Sequence, residues 1–174
     1  NNELGRNYMK GIMERNPTAA AKMYPDANFS MRVSYGNVKS YKPRDAMFCD
    51  YVTTANGVME KYVPGDYEFD LPSKQVELFR KKDFGPYADK AGYMPVCFLT
   101  DNDITGGNSG SPVLNGKGEL IGLAFDGNIE AMAGDVIFDT KLQKTINVDI
   151  RYVLFIIDKY AGAKHIVDEM TIIR

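Results

Sequence analysis

Between two apolar runs, Met94-Pro-Val-Cys-Phe-Leu99 and Glu119-Leu-Ile-Gly-Leu-Ala-Phe125, the chain reads Gly106-Gly-Asn-Ser-Gly-Ser-Pro-Val113. Three glycines, a proline and small polar residues between two strand-like runs force a sharp loop, because glycine alone adopts left-handed backbone angles without a steric cost. The backbone N–H groups of Gly107 and Ser109 are then free to point at one spot. A carbonyl oxygen placed there gains two donors as it becomes an oxyanion, while the Ser109 hydroxyl attacks its carbon. The same residue types also make an ordinary turn between strands. The stretch differs from the GxSxG elbow of α/β-hydrolases, since Ser111 stands where that motif needs glycine and a strand, not a helix, follows.

A nucleophilic serine normally passes its proton to a histidine oriented by a carboxylate. The 174 residues contain one histidine, His165. It lies in Tyr160-Ala-Gly-Ala-Lys-His-Ile-Val-Asp-Glu-Met170, where Ile166, Val167 and Met170 are apolar and Lys164, Asp168 and Glu169 polar. That spacing predicts a solvent-facing histidine on an amphipathic helix. The chain is therefore either an enzyme with an unusual base or part of one, and the second reading is preferred.

A net charge of −2 gives no reason to invoke nucleic acid or an anionic membrane. No apolar run reaches the eighteen or so residues of a spanning helix. Val153-Leu-Phe-Ile-Ile157 is short and reads as a buried helix face. No signal peptide opens the chain, and Asn1-Asn-Glu-Leu-Gly-Arg6 reads as a domain-internal beginning. Cys49 and Cys97 are read as free buried thiols rather than a pair. One histidine and two distant cysteines supply no zinc site, and no cofactor is called for.

Along the chain, Leu4, Tyr8, Met9, Ile12 and Met13 recur at helical spacing up to a break at Asn16-Pro17, with a second short helix over Ala19–Met23. From Phe29, apolar Phe29, Met31, Val33 and Tyr35 alternate with polar residues, which predicts a strand. Phe48–Thr54 and Val58–Val63 read as a hairpin around Ala55-Asn56-Gly57. A helix is expected over Gln75–Lys82, then strands over 94–99, 112–115, 119–125, 136–138 and 145–148, and helices over 150–160 and 163–170. A helical lead-in, six to eight antiparallel strands and a helical end predict a mainly β chain: one antiparallel β-barrel with N- and C-terminal helices.

The combined motifs are more specific than the serine loop alone. Asp103-Ile-Thr-Gly-Gly-Asn-Ser-Gly-Ser-Pro112, Leu120-Ile-Gly-Leu-Ala-Phe-Asp-Gly-Asn128, Asn147-Val-Asp-Ile-Arg-Tyr152, Met31-Arg-Val-Ser-Tyr-Gly36 and Thr53-Thr-Ala-Asn-Gly-Val-Met-Glu-Lys61 resemble the bacterial serine dipeptidyl-peptidase family of the VII/XI type, and the VII type most. The resemblance covers nearly the whole chain. It implies a chymotrypsin-like double β-barrel with a helical insertion, acting as a homodimer on oligopeptides in the periplasm or at the surface of a Gram-negative cell. On that pattern residues 1–28 are the end of the inserted helical domain and 29–174 the C-terminal barrel with its terminal helices. The triad histidine and aspartate belong to the N-terminal barrel, which accounts for the missing base and implies that this portion alone is inactive.

Position by position, the resemblance makes Ser109 the nucleophile and the Gly107 and Ser109 amides the oxyanion hole. Asp126 matches a carboxylate that holds the substrate's free α-amino group, and Gly127 the position that sets the pocket for the residue before the cut bond. Relatives selecting acidic residues carry arginine there, whereas glycine implies a preference for apolar ones. Phe125 either lines that pocket or is plain barrel core. Asp103, six residues before Ser109, has the spacing of a trypsin-like pocket carboxylate but is read as structural. The competing readings are a glutamyl-type or trypsin-like endopeptidase and a non-catalytic peptide-binding module.

Overall fold

The computed structural model describes residues 2–21, 23, 30–133 and 138–173. The chain divides into two compact units, Asn1–Arg32 and Val33–Arg174. The first holds helix α1 (Asn2–Arg15) and the short α2 (Pro17–Ala20). Asn16 starts α2: its side chain accepts the Ala19 N–H at 3.1 Å, and Pro17 occupies the first helical position, where the missing N–H costs nothing. Neither helix buries a residue.

The second unit is built on a five-stranded antiparallel sheet of order β1-β2-β5-β4-β3. The strands are β1 (Val52–Thr54), β2 (Pro95–Thr100), β3 (Pro112–Leu114), β4 (Leu120–Gly127) and β5 (Thr145–Asp149). Helices α3 (Ala55–Lys61), α4 (Ser73–Lys81), α5 (Ile150–Phe155) and α6 (Lys164–Asp168) flank it, with a wide π-type turn over Ile156–Tyr160. The fold is thus an antiparallel sheet with helices at both ends of the chain, as the sequence pattern predicts, with five strands among the described residues where six to eight are expected.

The apolar core sits in the helical layer. Phe155 is fully buried, with ring centroids 5.9 Å from Phe79, 6.1 Å from Phe84 and 6.0 Å from Tyr152. Ala55, Tyr87, Met94, Leu154 and Val167 complete the cluster. On β5 the buried positions are the polar ones, Thr145, Asn147 and Asp149. Each finds partners. Thr145 Oγ1 donates to the Asn102 carbonyl at 2.8 Å, and Asn147 Nδ2 donates to Thr100 Oγ1 at 2.9 Å. Asp149 caps α5, accepting the Arg151 N–H at 2.9 Å and holding the Arg151 guanidinium through Nε and Nη2 at 2.9 and 2.7 Å. The carboxylate and its burial push the Arg151 pKa up and down respectively, and the hydrogen bond to Asp149 dominates, giving a net rise. The Asp149 carboxylate of this pair is buried, while the Arg151 side chain stays 43% exposed. Removing a side-chain cap costs about 1–2 kcal/mol, so Asp149→Ala is expected to lower the chemical-denaturation midpoint with an unchanged m-value.

Three expectations are corrected. The predicted hairpin over 48–63 is a strand followed by a helix: β1 ends at Thr54 and Ala55–Lys61 is α3. Ala55 is buried and donates its N–H to the Met94 carbonyl at 2.9 Å, and Val58 and Met59 pack against the helical core one turn on. Tertiary packing overrides the Asn-Gly turn signal. The predicted strand from Phe29 lies partly outside the described residues. Its remainder forms no strand: Met31, Val33 and Tyr35 are 82–94% exposed, and among the described residues strand-like pairing starts only at the Val38–Thr100 and Tyr41–Cys49 bridges. Alternation describes an extended chain, and without a neighbouring strand it is not a ladder. Of the strand predicted over 136–138, residues 136–137 lie outside the described ones and Phe138 is not in a strand. Cys49 and Cys97 are free thiols, half-buried, and burial pushes the Cys97 thiol pKa up.

Candidate active site

The serine loop spans the gap from β2 to β3 and is shaped by its own polar atoms. Asn108 Oδ1 accepts the Thr105 N–H at 2.9 Å, the Asn108 N–H donates to the Thr105 carbonyl at 3.1 Å, and the Ser111 N–H donates to the Asn108 carbonyl at 2.9 Å. Gly107 and Gly110 take φ of +101° and +84°, left-handed values that a side chain would strain. The loop is then laid on β4: the Gly110 N–H donates to the Ala124 carbonyl at 2.7 Å, and the Ala124 N–H returns to the Ser111 carbonyl at 2.9 Å.

Ser109 is exposed at the tip, its Oγ donating to the Phe125 carbonyl at 3.3 Å. Among the described residues, the Gly107 and Ser109 N–H groups have no hydrogen-bond partner. The register of β4 on β5 slips between Ala124 and Asp126, a bulge that leaves Phe125 unpaired and 43% exposed. Phe125 is therefore not core. Asp126, also exposed, accepts the N–H of Gly127 on its Oδ1 at 2.8 Å. A Cβ built on Gly127 would stand 3.0 Å from Ala131 Cβ and 3.9 Å from Ile104 Cγ2.

Ser109, Gly107, Phe125, Asp126 and Gly127 thus gather at one end of the sheet, although they come from two segments of chain. His165 does not join them through any hydrogen bond; it is exposed on α6. Asp103 has a local role: its Oδ1 accepts the Ile104 N–H at 2.9 Å, and its carbonyl accepts the Ser34 hydroxyl at 2.6 Å. Asp101 next to it accepts the Asn37 N–H at 2.6 Å. The approach to the serine loop is held by residues 34–37. Among the described residues no cluster of three His, Cys, Asp or Glu side chains could hold a metal ion.

Sequence reasoning missed the polar cluster directly behind Gly127. Asn128 donates from Nδ2 to Glu130 Oε2 at 2.7 Å and to the Leu142 carbonyl at 2.8 Å, and accepts the Lys144 N–H on Oδ1 at 2.8 Å. Tyr41 donates its hydroxyl to the same Glu130 Oε2 at 3.1 Å, and burial foremost pushes its pKa up to about 12. Lys144 is 1% exposed. Burial pulls its pKa below the ordinary lysine value, against the pull of the surrounding carboxylates. The only local signal for this cluster was the polar Asn128 beside the Asp126-Gly127 pair.

The strand-flanked serine loop thus lies beside the carboxylate-bearing end of β4. The Peptidase S46 family model matches residues 1–172, and the chain belongs to that family. It is 65% identical to a dipeptidyl-peptidase 7 of Capnocytophaga gingivalis over 97% of its length and 24% of the relative's. It is 54% identical to an Asp/Glu-specific dipeptidyl-peptidase of the same organism, over 98% of its length and 24% of that protein's. A crystal structure of Porphyromonas endodontalis DPP11 in complex with the dipeptide Arg-Glu is similar at TM-score 0.83 and 43% identity, over 94% of this chain and 23% of that one. The chain spans about a quarter of the length of these relatives.

Proposed function

We propose that this chain is the serine-bearing C-terminal portion of a serine-type dipeptidyl-peptidase, which releases dipeptides from the free N-terminus of oligopeptides and prefers an apolar residue before the cut bond. Residues 1–28 are the end of its helical insertion and 29–174 its second barrel. The triad histidine and aspartate come from a preceding barrel, so the chain by itself is inactive. The whole enzyme acts as a homodimer in the periplasm or at the cell surface. The observation that carries this reading is the pair of hydrogen bonds between Gly110–Ser111 and Ala124, which sets Ser109 beside Phe125, Asp126 and Gly127.

Each residue then has a chemical task. Ser109 Oγ attacks the scissile carbonyl carbon and gives its proton to the histidine of the preceding barrel. The oxygen, as it takes up negative charge, enters the space before the Gly107 and Ser109 amides, whose N–H groups have no other partner among the described residues to give up. The exposed Asp126 carboxylate pairs with the substrate's α-ammonium, so the enzyme measures two residues from the charged end. Gly127 leaves the pocket without a cation, and Phe125 presents an apolar ring to the substrate side chain.

The experiment compares, in the full-length protein, a fluorogenic dipeptide ending in Leu with its N-acetylated twin. Cleavage of the free amine alone is expected. Truncating one partner of a desolvated charge pair costs about 2–5 kcal/mol, so Asp126→Ala should lower kcat/KM for the free amine by at least roughly 30-fold. Equal cleavage of both substrates would remove the role given to Asp126 and leave an endopeptidase as the better reading. Cleavage of neither would leave a peptide-binding module.

A further inference from the structure

Among the described residues, no carboxylate is a hydrogen-bond partner of the buried Lys144. Its ammonium donates to the backbone carbonyls of Thr140, Lys141 and Gln143 at 3.0, 3.0 and 2.8 Å, and lies 5.6 Å from the centroid of the Tyr41 ring. A buried ammonium is costly to desolvate, and an apolar side chain of similar length would fill the space without that cost. What the charge does instead is draw three carbonyls to one point. The 139–144 segment is thereby closed into a turn, in which the Asp139 carbonyl takes the Gln143 N–H at 2.9 Å and Asp139 Oδ1 the Lys141 N–H at 2.8 Å.

That turn presents the Leu142 carbonyl and both backbone groups of Lys144 to Asn128. Besides its three side-chain bonds, Asn128 donates its N–H to the Lys144 carbonyl at 3.0 Å, and its own carbonyl takes the Ala131 N–H at 2.9 Å. Asn128 is thus held on every polar atom, with Gly127 immediately before it and Ala131 three residues on. Position 127 has no room for a side chain without a shift, since a Cβ there would stand 3.0 Å from Ala131 Cβ.

We propose that Asn128 and Lys144, with Tyr41 and Glu130, are positioning residues that fix Gly127 against Ala131 and so set the depth of the pocket for the residue before the cut bond. This rests on the reading of Gly127 as a pocket wall. None of the four touches substrate; they act through the backbone of 127–131.

The test measures kcat/KM of the full-length enzyme and of its Asn128→Ala and Lys144→Met variants on free-amine dipeptides ending in Ala, Leu and Phe. The ratio between substrates does not depend on how much enzyme is folded, so a merely structural role leaves it unmoved. The expected result is a change in the Phe/Ala ratio of about 5- to 10-fold, within the range that pocket fit controls, carried by KM more than kcat. Tyr41→Phe, which removes only the hydroxyl on Glu130, should shift the ratio in the same direction by less, and decides the matter if both other variants fail to fold. Ratios within about twofold of the parent in all folded variants, on the same scale, overturn the proposal while leaving the dipeptidyl-peptidase reading intact. A parent enzyme that cleaves none of these substrates overturns both.

Discussion

Ser109→Ala in the full-length protein is expected to lower kcat on free-amine dipeptides by roughly 10⁴- to 10⁶-fold, the range seen when a triad nucleophile is deleted. On the proposed reading, the residual rate comes from binding and from the Gly107 and Ser109 backbone amides, which the substitution leaves in the chain. Stability should hardly move. The Ser109 side chain is exposed, and its one side-chain hydrogen bond is the 3.3 Å contact to the Phe125 carbonyl; surface changes of this kind stay within about 0.5 kcal/mol. The loop is shaped by Asn108, Gly107 and Gly110, so an alanine at 109 inherits the same turn. Steady-state kinetics and a thermal melt, run side by side, check both halves. A variant keeping a tenth or more of the activity would rule out Ser109 as nucleophile, whereas loss of activity together with a collapsed melt would point to a folding defect.

Phe155→Ala is expected to be the most destabilising single change in the Val33–Arg174 unit. Its ring is fully enclosed and meets Phe79, Phe84 and Tyr152 at centroid distances near 6 Å. Deleting a buried phenylalanine costs about 3–5 kcal/mol, because the lost transfer energy is compounded by a cavity the neighbours fill only in part. At roughly 2–4 °C per kcal/mol for a unit of this size, the melting temperature should fall by about 10 °C. Phe155→Leu, which refills most of the volume, should recover a large share of the loss. The damage should also reach the sheet, since Met94, at the entrance to β2, and Ala55, at the end of β1, belong to the same cluster. A fall under about 1 kcal/mol would mean that the helical layer is not the core of the unit.

The parts of this fold that were readable from sequence are those specified locally. The apolar runs of β2 and β4, the helical spacing of Val76 and Phe79 in α4, and the glycines of the serine loop each announce their conformation within a few residues. Ser109 stands out with those glycines, whereas the roles given to Asp126 and Gly127 come only from the resemblance to known peptidases. Ala55-Asn56-Gly57 misled because a turn signal competed with the i, i+3, i+4 spacing of Ala55, Val58 and Met59, and burial against Met94 decided for the helix. Alternation at Met31, Val33 and Tyr35 predicted a strand that has no partner in the described residues. The Asn128 cluster was invisible because its bonds go to backbone carbonyls and to Tyr41, eighty-seven positions away in the chain; no short window holds that information.

The strand order carries a consequence for how the site comes into being. β1 pairs with β2 and β3 with β4, but these two pairs meet only through β5, which lies at the centre of the sheet and is the last strand in the chain. The serine loop bridges the two pairs. Until residues 145–149 stand between them, β2 and β4 have no common strand to align them, and each end of the loop is tied only to its own strand pair. Such a late, non-local closure is slow to form. A ribosome-bound chain that has already made Ser109 therefore carries the serine loop without its setting, which is complete only once residues 145–149 are in place.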